Sequence, residues 1–214
     1  MRGDILIIGD HHRSAAENIL SLTLTAIRSK KGVYIFTIAG ESGAGKSETA
    51  YALEGLLEKI HIRTYIIQQD DYFILPPKTN EKARIININR VGPDEVRLDL
   101  LNENIRSVIA GDMVIKKPLV IFEEDRITTE TIDLSGYEVI IIDGTYTTML
   151  EGIDCHVFID RDRNDTRTDR LKRNREQQNE YLERILEIEH KIISRHKEMA
   201  DIIVNKEFKA YLAR

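Results

Sequence analysis

The chain has 214 residues, 42% hydrophobic and 31% charged, with a formal net charge of −5. That length suits one domain with a sizeable core and an appendage. The acidic balance argues against nucleic-acid binding by the whole surface, no apolar run approaches a membrane span, and the N-terminus lacks a signal-peptide layout. A single cysteine, Cys155, excludes an internal disulfide framework and fits a reducing cytoplasm. At the N-terminus Ile5-Leu6-Ile7-Ile8 reads as a strand and residues 15–27 as a helix, with Ser14 as N-cap and Glu17 in the capping position. Residues 1–31 are thus expected to form a strand–helix extension ahead of a domain spanning 32–214. His11-His12 reads as a solvated turn rather than a metal pair, since adjacent side chains do not face one another and no Cys or acidic cluster accompanies them.

Residues 33–39 form a continuous apolar, β-branched run of the kind a strand buried on both faces shows. It leads into Gly40-Glu41-Ser42-Gly43-Ala44-Gly45-Lys46-Ser47, which fits G-x-x-x-x-G-K-[ST] without a mismatch. Residues 48–60 follow with Ala50, Leu53, Leu56, Leu57 and Ile60 at helical spacing. Strand, glycine loop and helix are what phosphate binding needs. Backbone N–H groups of Gly40, Ser42, Gly43, Ala44, Gly45 and Glu48 gather on phosphate oxygens at a positive helix end. Lys46 is expected to reach the β- and γ-phosphates and Ser47 to hold Mg²⁺.

A second strand over residues 62–68 ends in Gln69-Asp70-Asp71-Tyr72-Phe73, and carboxylates at the C-terminal end of a parallel strand are site candidates. Leu75-Pro76-Pro77 opens a long loop that reaches Pro93, with a helix over residues 94–110 stopped by Gly111. Two short strands, 119–122 and 128–134, flank a charged turn. The apolar run 137–142 ends in Asp143-Gly144, the setting for a second Mg²⁺ group in a chain with a P-loop. Residues 155–159 read as a strand that buries Cys155 as a core thiol. Arg161, Arg163, Arg167, Arg170, Lys172, Arg173 and Arg175 then cluster among Asp160, Asp162, Asp165 and Asp169. A solvated helix, a nucleic-acid patch without aromatics, and a lid whose arginines close over a phosphoryl group all stay open. A helical stripe from Leu182 to His196 leaves room for a helical partner, so a homo-oligomer stays open too. His190 and His196 read as packing and surface residues. Residues 201–204 form a last strand, and 206–214 a tail.

Several of these stretches together resemble the uridine kinase / phosphoribulokinase family of P-loop small-molecule kinases. They are the P-loop, Gln69 to Phe73, Gly92-Pro93-Asp94, Ile142-Asp143-Gly144, the arginine segment, and the ending from His190 through Ala200-Asp201-Ile202-Ile203. The likeness runs in order over residues 33–204. The Gln69 to Phe73 stretch is also similar to nicotinamide riboside kinases. The resemblance implies an α/β fold with a parallel sheet of order 2-3-1-4-5, helices on both faces, and an arginine-bearing lid near 161–180. It implies Mg·ATP as phosphoryl donor, with Asp70 as the base for an acceptor hydroxyl. Asp143 stands where the family usually has Glu, so its shorter side chain implies contact with Mg²⁺ through water. Arg170 and Arg173 match the lid arginines. Against uridine kinases, Asn89-Arg90-Val91-Gly92-Pro93 puts Val91 where an aspartate holds the ribose. The pyrimidine-reading Tyr and His fall near Val120 and Asp125. The phosphate-handling half of the resemblance is intact and the uridine-handling half is not.

The expectation is therefore a kinase that transfers a phosphoryl group to a nucleoside-like or sugar-like small molecule, with no nucleic-acid or membrane partner. The alternative is a nucleotide-dependent regulatory P-loop protein, a switch or NTPase, which needs Ser47 and Asp143 but neither Asp70 nor the lid arginines.

Overall fold

Short runs of β-branched and aromatic residues build the centre of the molecule. The computed structural model describes residues 6–173 and 179–213. In chain order the elements are α1 (Asp10–Ser29), β1 (Tyr34–Gly40), α2 (Lys46–Lys59), β2 (Thr64–Gln68), α3 (Pro77–Ile86), α4 (Leu98–Ala110), and the strands β3 (Val114–Ile121), β4 (Arg126–Asp133), β5 (Val139–Asp143) and β6 (Cys155–Ile159). There follow α5 (Arg167–Arg173), α6 (Glu180–Ile193), β7 (Ile202–Val204) and β8 (Ala210–Leu212). The main sheet runs β2-β5-β1-β6-β7-β8, parallel throughout except for β8. Its five parallel strands, counted in chain order, give 2-3-1-4-5, the order the resemblance implies. β1 and β5 are buried along their whole length, as central strands of a sheet covered on both faces must be.

One apolar layer joins α1, α2 and one face of the sheet through Ile19, Leu53, Leu57, Phe36 and Ile141. The other joins α4 and the end of α6 through Leu101, Ile105, Ile193 and Ile140. The antiparallel hairpin β3–β4 stands apart from the main sheet. It is pinned by Asp71, whose carboxylate takes Lys117 Nζ at 2.7 Å and the Val120 N–H at 3.0 Å.

Several expected elements differ. Residues 6–9 form no strand, and residues 1–5 lie outside the described part. The first helix begins at Asp10 rather than 15, so His11 and His12 are in its first turn and not in a loop. The Gly9 N–H donates to His12 Nδ1 at 3.1 Å, which caps the helix from within, so Ser14 is an ordinary helical residue. The expected long loop from Leu75 contains α3, because Pro77 occupies the first turn, where a missing N–H costs nothing. The Pro93–Glu95 stretch is a 3₁₀ turn, and α4 starts only at Leu98. The expected tail supplies β8, which covers the edge of β7. Burial pushes the Cys155 thiol up to about 12, in keeping with an inert core residue.

Candidate active site

β1 delivers the P-loop at its C-terminal end, and α2 leaves it with Gly45 as N-cap. Lys46 Nζ donates to the Glu41 carbonyl at 2.9 Å, which folds the lysine back over the loop. The register Ile38↔Asp143 puts the end of β5 beside the loop, and Ser47 Oγ donates to Asp143 Oδ2 at 2.5 Å. Asp143 is buried, and burial pushes its carboxyl up to about 6. The charge of Asp70 pushes the same way, against the Ser47 hydrogen bond and Lys46. Its Oδ1 has no hydrogen-bond partner. Gly144 must be glycine, since a Cβ there would sit 2.2 Å from Gln69 Cβ. Gln69 in turn accepts the Tyr146 N–H at 2.7 Å, so it holds the loop behind Asp143 rather than facing ligand.

Asp70 follows β2 in a 3₁₀ turn and is exposed on a cavity of about 280 Å³. That cavity starts at Ser42, Gly43, Lys46 and Ser47, passes Asp70 and Asp143, and continues between α3 and α6. Of the other expected phosphate-loop residues, Gly40, Ala44 and Glu48 are buried beneath it.

Comparison with known proteins agrees with this layout. A model described as the phosphoribulokinase / uridine kinase family matches residues 35–210. The chain belongs to this family. Among curated relatives, the bifunctional alpha-galactosidase/sucrose kinase of Mediterraneibacter gnavus is 27% identical over 83% of this chain but only 20% of its own length. This chain thus spans a small part of that relative. The uridine kinase of Ureaplasma parvum is 28% identical over 73% of this chain and 76% of its own. Among solved structures, a possible uridine kinase from Bacillus stearothermophilus superposes with a TM-score of 0.61, at 20% identity, over 89% of this chain and 97% of that one.

In this phosphoribulokinase / uridine kinase relative, α1 precedes the matched segment yet is packed into the same core. Arg170 of α5 lies against the P-loop: a Cβ on Gly43 would come 2.8 Å from Arg170 Cγ. The Arg170 guanidinium donates to the Arg163 carbonyl at 2.8 Å and to Thr166 Oγ1, which ties it to the turn before α5. Arg167 is exposed, the Arg173 side chain and Arg175 lie outside the described part, and Arg161 stacks its guanidinium 4.7 Å from the Phe208 ring. His190, expected to be a bystander, sits on α6 with Nδ1 2.5 Å from Glu41 Oε1 of the P-loop. Burial raises the Glu41 carboxyl while His190 lowers it.

The part of the cavity between α3 and α6 holds residues that sequence reading missed. Arg84 of α3 makes a two-pronged contact with Glu95, Nε to Oε1 at 2.7 Å and Nη2 to Oε2 at 2.8 Å. Asn80 Nδ2 donates to the same Glu95 at 3.0 Å, and Glu189 of α6 lies 3.7 Å from Arg84. Glu95 also accepts the Gly92 N–H at 3.1 Å, but nothing in the sequence ties Glu95 to Arg84 and Asn80. The uridine-reading positions stay out of the cavity lining. Val91 and Val120 are buried, and Asp125 is spent accepting from Lys78 and Thr79 at the start of α3.

Proposed function

We propose that the chain is an ATP-dependent kinase that moves the γ-phosphoryl group onto a hydroxyl of a small nucleoside-like or sugar-like acceptor. One observation carries this reading: the P-loop groups and Asp70 line a single cavity that continues into a second chamber between α3 and α6. A switch or NTPase would use the first part and has no need of the second.

Lys46 would exchange the Glu41 carbonyl for phosphate oxygens, and the P-loop N–H groups would hold the rest of the phosphate chain. The buried, partnerless Asp143 Oδ1 beside Ser47 suits a divalent cation. Among the described residues no group of three or more His, Cys, Asp or Glu gathers to hold a metal. Mg²⁺ would therefore rest on Ser47, Asp143, water and the nucleotide, its usual sparse set of protein ligands. When bound, Mg²⁺ neutralises charge on the phosphate oxygens. Asp70 orients the acceptor hydroxyl and takes its proton late, because a carboxylate is too weak a base to ionise an alcohol beforehand. Arg170, Arg173 and Lys46 supply the remaining positive charge. The lone buried thiol supports a cytoplasmic setting, and no helix among the described residues is long and apolar enough to cross a membrane. We read residues 1–31 as an extension of the kinase domain rather than a separate unit.

The test is an ADP-release assay across nucleosides, vitamin ribosides and sugars. Release should depend on the acceptor and vanish in Lys46→Ala. Acceptor-independent hydrolysis, equal in the presence of every candidate, would place the chain with the switches and NTPases.

A further inference from the structure

The second chamber has a definite charge character. On its α3 side are Asn80, Glu81 and Arg84, and on its α6 side Tyr181 and Glu189. Among the described residues, the cations there are already engaged. Arg84 is gripped by both oxygens of Glu95 and faces Glu189 as well. Lys78, at the exposed rim, gives its Nζ to the Glu123 carbonyl. Lys46 belongs to the phosphate loop.

Against those engaged cations stand Asp70 and Glu81 on the cavity wall, while Glu189, also on the wall, shares its charge with Arg84 at 3.7 Å. An acceptor bearing a phosphate or carboxylate would enter a chamber whose carboxylates repel it, a cost that rises as water is displaced. Hydroxyl groups meet the opposite situation. Asn80 is buried, its Nδ2 is fixed on Glu95, and its Oδ1 has no hydrogen-bond partner. Because the amide is oriented by that contact, the chamber offers a built acceptor for an O–H. The Tyr181 hydroxyl is likewise without a partner. Between these polar groups Phe73 and Phe122 present aromatic surface to the cavity. A sugar ring has hydroxyls round its edge and C–H groups on its faces, and this wall is matched to both. A nucleobase carries its polar atoms along one or two edges and would leave one of the two helices unanswered.

Resting on the kinase reading above, we propose that the phosphoryl acceptor is a neutral sugar or polyol, free of phosphate and carboxylate, held by Asn80 and Glu189 with Asp70 on the hydroxyl that reacts. Asn80 and Glu189 then set specificity, and Arg84 acts as a positioning residue that fixes Glu95, which in turn orients the Asn80 amide.

The experiment uses the full chain with Mg²⁺ and ATP. Initial rates of ADP release are measured for sucrose, fructose, glucose and glycerol, for fructose 6-phosphate and ribulose 5-phosphate, for glycerate, for glucosamine, and for uridine. At least one neutral sugar should exceed every phosphorylated or carboxylated acceptor by 100-fold or more in kcat/KM. A second measurement uses Glu81→Lys, at an exposed position outside the transferring groups. It should shift the ratio of neutral to phosphorylated acceptor by at least tenfold toward the phosphorylated one, with the KM for ATP unchanged. A change that merely loosened the fold would lower both acceptors alike. Preference for a sugar phosphate, glycerate or uridine in wild type overturns the inference and leaves the kinase reading standing. So does a tenfold preference for glucosamine over glucose, which would make the chamber a cation site. ADP release that responds to none of them overturns both.

Discussion

Asp70 and Asp71 follow one another at the end of β2, yet the first is exposed on the cavity wall and the second is buried under the hairpin. A 3₁₀ turn accounts for the split, because it rotates successive side chains by about a third of a turn. Asp70→Asn keeps the shape and removes the charge that we propose accepts the hydroxyl proton. Turnover should fall by roughly 10²- to 10⁴-fold, the usual contribution of a positioned base, with ATP affinity and melting temperature little changed. Asp71→Asn should do the reverse. It weakens a buried ion pair with Lys117, and Lys117 keeps Glu130 at 2.9 Å, so the damage stays below that of an orphaned buried charge. Melting curves and steady-state kinetics on the two variants, run side by side, separate the roles. Lost turnover in Asp71→Asn with Asp70→Asn unaffected would move the base by one residue.

At the scale of elements, α5 and the turn before it form a wall against the P-loop. Arg170 packs its methylenes on Gly43 and anchors its guanidinium on the Arg163 carbonyl, so the arginine that the resemblance assigns to catalysis also ties α5 to the turn before it. Arg170→Ala should therefore lower kcat by tenfold or more and also lower the melting temperature by a few degrees, since about 1 kcal/mol shifts a chain of this size by roughly 2–4 °C. A drop in melting temperature with kcat intact, read from the same preparation, would make Arg170 structural only. The legibility of the elements follows from the range of the forces that make them. The P-loop, Asp70 and Asp143 could be read in sequence because glycine turns and strand ends are set by neighbours a few residues away. The part of the cavity between α3 and α6 could not, because Arg84, Glu95 and Glu189 meet only once α3 and α6 have packed. Pro76-Pro77 looked like a break, although Pro77 begins α3, and Gly9 with His12 replaced the expected Ser14 and Glu17 cap. β8 had no signal of its own and exists because β7 offers an edge.

On the whole molecule, burial acts on titration and on the N-terminal helix alike. His156 bonds Thr37 through Nδ1 at 2.8 Å and His196 bonds Thr148 at 2.8 Å, and burial lowers both from the ordinary 6.5. The unfolded chain takes up those protons first, so stability is lost as pH falls below about 6.5, by up to about 1.4 kcal/mol per pH unit for each histidine. Asp143, raised by burial to about 6, acts with the opposite sign as pH falls through that value, and Glu41, also raised by burial, acts in the same sense as Asp143. The difference between wild type and His156→Gln/His196→Gln in urea unfolding isolates the histidines: the variant should gain on wild type as pH drops from 7 to 5. A constant difference would mean that neither ring is held neutral. The N-terminal helix gives the larger effect. Ala15, Ala16 and Ile19 are fully buried and Ile27 nearly so, in one layer with Phe36 and Leu53. Burying each isoleucine contributes about 2 kcal/mol, against a total stability of roughly 5–15 kcal/mol for a domain. His12, moreover, lies against the P-loop, with Nε2 placed 2.8 Å from where a Gly45 Cβ would be, and its ring packs on Phe208. Removing residues 1–31 would strip one side of α2 and uncover the phosphate loop from below. The shortened chain, although it keeps every residue of the matched family segment, should express poorly or melt at least 10 °C lower, and should bind Mg·ATP weakly. Ile19→Ala in the full chain gives a milder version, about 2–4 kcal/mol less stable with kcat near wild type. A truncated protein with wild-type melting and wild-type ATP affinity by calorimetry would show that α1 is an appendage after all.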